Sequence, residues 1–74
     1  MSRALASVQQ ELGRRIRRQR EQKAMSQEAL AYEAGITPSY VSQIETGKRN
    51  PSVAALHGMC RALGLSLSQL FSGL

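Results

Sequence analysis

Residues 26–51 read SQEALAYEAGITPSYVSQIETGKRNP, and this stretch decides the fold. Ser26 is a good N-cap, because a short hydroxyl accepts a hydrogen bond from an otherwise unpaired N–H of the first turn. Gln27 and Glu28 follow in that turn, where negative charge suits the helix dipole. Leu30, Ala31 and Ala34 recur at helical spacing, and the segment stops at Gly35, which adopts a left-handed conformation that a Cβ resists. Only Ile36 and Thr37 intervene before a second helix. Thr37 is its N-cap, and Pro38 suits the first helical position, where a missing N–H costs nothing. Val41 and Ile44 form the apolar side, and Gly47 ends the helix. Small Ala31 allows a close crossing, while Ile36, Val41 and Ile44 fill the angle between the two helices. The loop Lys48-Arg49-Asn50-Pro51 follows.

Outward from this centre the same punctuation recurs. Ser7 with Gln10 fits a capping box and predicts a helix from about Ser7 to Lys23. Val8, Leu12 and Ile16 form one apolar stripe. At about 100° per residue, Arg14 and Arg18 point away from it and Arg15 and Arg17 flank it. Arg20, one turn beyond Ile16, lies close to the buried stripe and calls for a carboxylate partner. On the other side, Ser52 caps a helix carrying Val53, Leu56, Cys60 and Leu63, closed by Gly64. Ser66 with Gln69 forms a further capping box ahead of Leu67, Leu70 and Phe71. No alternating run of β-branched residues suggests a strand. The expected class is all-α, with five short helices in one domain over residues 1–74.

The whole sequence of 74 residues carries a net charge of +5. A chain this small buries roughly 60% of the surface it would expose unfolded, too little for a deep cleft beside a regulatory domain. Ten Lys and Arg face five Glu, and six of the ten lie between Arg14 and Lys23. That surplus points to a polyanion or an anionic surface as partner. Cys60 is the sole cysteine, which excludes an internal disulfide and a multi-cysteine zinc site. It reads as a small core residue, as Met25 and Met59 read as core filler. His57 stands without a ligand set. No nucleophile–base pair, Gly-rich phosphate loop or carboxylate dyad is visible, which argues against an enzyme. No cofactor, metal or small-molecule ligand is expected. With no apolar run long enough for a membrane span and no signal-peptide pattern, the expected location is the cytoplasm.

Two helices joined by a tight, Gly-containing turn are the grammar of a helix-turn-helix, here about residues 27–46. The run Ser26-Gln27-Glu28-Ala29-Leu30-Ala31, then Gly35-Ile36-Thr37, then Tyr40 to Pro51, resembles the XRE family, the Cro and phage lambda-repressor type of DNA-binding domain. The resemblance continues through Leu56, Ala62-Leu63-Gly64-Leu65-Ser66 and Leu70-Phe71. It implies a compact five-helix bundle that acts as a sequence-specific transcriptional regulator on double-stranded DNA. The Tyr40-Val41-Ser42 run and the Gly47-to-Asn50 loop are similar to those of restriction–modification controller proteins. Phage repressors and plasmid regulators are equally short.

The resemblance also implies roles, position by position. Pro38 to Thr46 is the recognition helix, with Thr37, Pro38, Ser39, Ser42 and Gln43 facing the bases. The amide of Gln43 both donates and accepts, which matches N6 and N7 of adenine. Many relatives carry a long polar side chain where Pro38 stands; Pro38 either touches a thymine methyl or stiffens the helix start. Gln27 is placed to contact a phosphate at the start of its helix. Lys48, Arg49 and Asn50 clamp the flanking backbone, and the Tyr40 hydroxyl reaches a phosphate too. Arg20 and Glu45 match a buried ion pair between helices one and three.

Leu65, Leu67, Leu70, Phe71 and Leu74 supply five large apolar residues in the last ten positions. The expected use is homodimerisation through residues 66–74, which would let two recognition helices read a pseudo-palindrome. A second reading makes the tail the docking face of an antitoxin-type module for a partner protein. Membrane-surface binding through the basic helix is disfavoured, because that helix lacks a bulky aromatic face.

Overall fold

Gly35 and the four capping hydroxyls set the frame. In the computed structural model, which describes residues 3–74, five α-helices follow one another: α1 (Arg3–Gln22), α2 (Gln27–Ala34), α3 (Pro38–Glu45), α4 (Val53–Leu63) and α5 (Leu67–Phe71). Ser26, Thr37, Ser52 and Ser66 all stand in extended conformation at their N-caps. Each accepts a hydrogen bond from the N–H three residues on. Gln69 returns a bond to the Ser66 N–H at 2.8 Å, completing the expected capping box. Gly35 sits at φ +74° and donates to the last carbonyls of α2, so the chain turns into α3 within two residues.

The capping box at Ser7 is not used. α1 already includes Arg3, and Ser7 lies in its second turn. Ala4, Leu5 and Ala6 are strong helix formers and extend the helix past the local signal. Two apolar assignments also change. Val8 is 39% exposed and Val53 74% exposed, because the buried faces of α1 and α4 begin at Leu12 and Ala55.

The core is aliphatic. Leu12 and Ile16 of α1, Leu30 and Ala31 of α2, Val41 and Ile44 of α3, Leu56, Met59, Cys60 and Leu63 of α4 and Leu70 of α5 form one cluster. Burial pushes the Cys60 thiol above its ordinary pKa, in keeping with a packing role. Gly13 lets α1 lie directly on the end of α3, where an added Cβ would stand 2.2 Å from the Ile44 carbonyl oxygen. The effect is to seat α3 against α1 and α2 with its opposite face uncovered. No helix among the described residues is long and apolar enough to cross a membrane.

Candidate nucleic-acid interface

The anchor of α3 is its last residue. Glu45 is 7% exposed, and its carboxylate accepts two parallel bonds from Arg20, Nε to Oε2 at 2.7 Å and Nη2 to Oε1 at 3.1 Å. Two-pronged guanidinium–carboxylate pairs hold geometry as well as charge. Arg20 Nη1 donates to the Met25 carbonyl at 2.7 Å, tying the α1–α2 turn into the same knot. The paired Glu45 raises the pKa of Arg20, so the cation is held firmly. The ion pair expected from the sequence is therefore present.

Gln27 joins this knot. Its Nε2 donates to Glu45 Oε1 at 3.1 Å, linking the start of α2 to the end of α3. Glu45 takes one of its two amide N–H donors, and the phosphate contact expected from the sequence would have to use the other. A first-turn glutamine gives no sign in the sequence of a partner 18 residues away.

The uncovered side of α3 carries the expected base-facing residues. Thr37, Pro38 and Ser39 are exposed, and Ser42 and Gln43 are half-buried. The Thr37 hydroxyl oxygen already accepts the Tyr40 N–H at 3.1 Å, which leaves its proton to donate outward. Thr46, which the sequence reading passed over, closes the helix by donating to the Ser42 carbonyl at 2.9 Å.

Beyond α3 the chain folds back. The Lys48 N–H donates to the Gln43 carbonyl at 2.9 Å. Lys48, Arg49 and Asn50 are all exposed, and Arg49 is stacked over the Tyr40 ring at 4.4 Å. Its Nη1 donates to Gln43 Oε1 at 3.2 Å. The Tyr40 hydroxyl accepts the Ser52 N–H at 3.1 Å, which pins the loop to the start of α4. That bond, aided by Arg49, holds the phenol below its ordinary pKa. Tyr40 is thus a platform for the loop as well as a group with one O–H left to offer a phosphate.

The arginine cluster of α1 divides. Arg14 and Arg15 both pair with Glu11, at 3.0 and 3.2 Å, and Arg17 pairs with Glu21 at 3.3 Å. Arg15 also donates to the Leu70 carbonyl at 2.9 Å and to the Ser72 carbonyl, which ties the end of α5 to α1. Nothing in the sequence marks Arg15 for this, since its partners are backbone oxygens far along the chain.

The C-terminal apolar set divides too. Leu70 is 2% exposed, and its assignment to a dimer interface is corrected: it lies on the inner face of α5, in its own core. Leu65 and Leu67 are half-buried against that core, whereas Phe71 and Leu74 stand 37% and 40% exposed.

Comparison with known proteins accords with this geometry. A family model described as a helix-turn-helix domain matches residues 11–70. The chain is 39% identical over 61 residues to the control protein C.MunI of a Mycoplasma species, covering 81% of this chain and 82% of that protein. It is 34% identical over 59 residues to the immunity repressor of Bacillus phage phi105, covering 80% of this chain and 41% of the repressor. The crystal structure of the restriction-modification controller protein C.AhdI from Aeromonas hydrophila superposes with a TM-score of 0.81 at 37% identity, over 84% of this chain and 94% of that one. With the match spanning most of its length and its core, caps and α2–α3 turn in place, the chain belongs to the XRE-type helix-turn-helix family of DNA-binding transcription regulators.

Proposed function

We propose that the protein acts as a homodimer on a pseudo-palindromic operator in double-stranded DNA, with one α3 in each of two major-groove half-sites. The carrying observation is the uncovered polar side of α3, flanked by exposed Lys48 and Arg49 and held from behind by the Arg20–Glu45–Gln27 knot. Ser39, Ser42 and Gln43 read base edges, with Thr37 and Pro38 at the entry. Gln27, Tyr40, Lys48, Arg49 and Asn50 hold phosphates. One such module buries only about 600 to 1,000 Å² on DNA, so pairing supplies the rest of the affinity.

The likeness to two controller proteins supports a restriction–modification locus as the setting, and the phage immunity repressor supports a phage or plasmid gene set. In either, the protein works in the cytoplasm without a small-molecule effector, and its own concentration sets occupancy. Selection of bound duplexes from a random pool, followed by a salt titration of the winner, tests this reading. Lys48 and Arg49 from two protomers make four charged phosphate contacts. Log affinity then falls against log salt with a slope of about −3.6 or steeper. A flat titration, or a pool with no enriched two-fold motif, overturns the proposal.

A further inference from the structure

We infer that Arg15 and Gly73 hold Phe71 and Leu74 in a prebuilt turn that docks on a second copy of the chain. The inference rests on the homodimer proposed above and names the residues that shape its contact surface.

The segment from Phe71 to Leu74 closes on itself. The Leu74 N–H donates to the Phe71 carbonyl at 3.0 Å. Between them Ser72 stands at φ −57°, ψ 121° and Gly73 at φ +79°. These are the angles of a type II β-turn, whose ends approach within about 7 Å and whose third residue calls for glycine or asparagine. An added Cβ at Gly73 would meet nothing closer than Arg15 Nη2 at 3.8 Å, so the backbone conformation alone demands the glycine.

Arg15 locks this turn to α1. Its Nη1 donates to the carbonyls of Leu70 and Ser72, one on each side of Phe71. Its Nε donates to Glu11 Oε2 at 3.2 Å, and its side chain is only 23% exposed. The end of a helix leaves carbonyls without partners, and a guanidinium there also suits the helix dipole. α5 ends on Ser72 rather than on a left-handed glycine, so α1 supplies the cap that the short helix lacks.

The result is two apolar side chains fixed beside each other and partly in water. A surface ordered before binding gives up little entropy on contact. The patch is small. Even a whole aromatic side chain covers no more than about 250 Å², whereas a free partner protein needs about 800 Å² on each side. A second copy needs less. Two protomers on neighbouring half-sites of one duplex meet at a high effective concentration, so a small rigid contact is enough to couple them. The area therefore favours self-association over an unrelated partner. Arg15 and Gly73 are positioning residues, since neither needs to touch the second copy.

The test uses the full chain, sedimentation equilibrium and two duplexes, one carrying the selected two-fold operator and one a single half-site. The wild type dimerises in the micromolar range. Gly73→Val, whose branched side chain resists positive φ, weakens the dimer about tenfold. Gly73→Asn tolerates that conformation and stays within about threefold of the wild type. Operator affinity falls with the dimer, while half-site affinity is unchanged because the fold and α3 are intact. Arg15→Met weakens the dimer too, and combining it with Gly73→Val gives less than the product of the two losses, since both act through one turn. A Gly73→Val dimer as tight as the wild type, a Gly73→Asn dimer as weak as Gly73→Val, or losses that multiply in full overturns the inference and leaves the homodimer standing. A wild type that is monomeric at micromolar concentrations overturns both, and gives the turn to another partner or to none.

Discussion

At the scale of residues, the decisive group is the carboxylate of Glu45. It accepts from Arg20 twice and from Gln27 once while almost wholly buried. Removing one partner of such a pair leaves the other charge in low dielectric without compensation. Glu45→Ala is expected to cost about 3 to 5 kcal/mol. At roughly 4 to 8 °C per kcal/mol for a domain of this size, that lowers the melting temperature by well over 10 °C. Glu45→Gln keeps the shape and one acceptor and should fall between the two. A thermal melt of Glu45→Ala that overlays the wild type would refute the structural role. The need for a carboxylate at Arg20 was legible because Arg20 falls close to a buried stripe, where a lone cation is untenable, and the resemblance to the family named Glu45 as that carboxylate. Gln27 as third partner was not, since the closure of α2 on α3 exists only in three dimensions.

Among the elements, legibility follows the range of the interaction. Caps act within three residues, so Ser26, Thr37, Ser52 and Ser66 announce their helices in the sequence. Ser7 shows the limit of such signals: a serine at a plausible spacing is overridden when strong helix formers precede it. Close approach between helices leaves no local trace. Gly13 looks like an ordinary helix-weakening glycine, yet its missing Cβ is what lets α1 touch the Ile44 and Glu45 carbonyls. Gly58 serves α4 in the same way against the Ala34 carbonyl. On an exposed helix Gly→Ala would stabilise by about 1 kcal/mol through propensity. Here the clash dominates, and Gly13→Ala is expected to destabilise by about 1 to 3 kcal/mol. Because α1 must back away from α3, it should also weaken the Arg20–Glu45 pair. Denaturant unfolding checks the sign, and a Gly13→Ala protein more stable than the wild type would show that α1 and α3 are not in direct backbone contact.

For the molecule as a whole, the apolar tail must be divided between fold and assembly before it supports pairing. Leu70 belongs to the fold, and Arg15 fixes the same segment by binding the carbonyls of Leu70 and Ser72. That leaves Phe71 and Leu74 as the large side chains of this segment that keep more than a third of their surface in water. Burying the exposed parts of these groups against a second copy is favourable at about 25 cal/mol per Å² of apolar surface. Placing a charge on them obstructs that burial and leaves the core untouched. Phe71→Asp combined with Leu74→Asp is therefore expected to keep the helix content and melting temperature of the wild type. It should sediment as a monomer at micromolar concentrations, where the wild type sediments as a dimer. Its affinity for the two-fold operator should fall by more than tenfold, while affinity for an isolated half-site is unchanged. Leu70→Asp, in contrast, should unfold the domain. A wild type that is monomeric at those concentrations would remove the dimer from the proposed mechanism. A doubly charged variant that remains dimeric would move the interface to another face of the bundle.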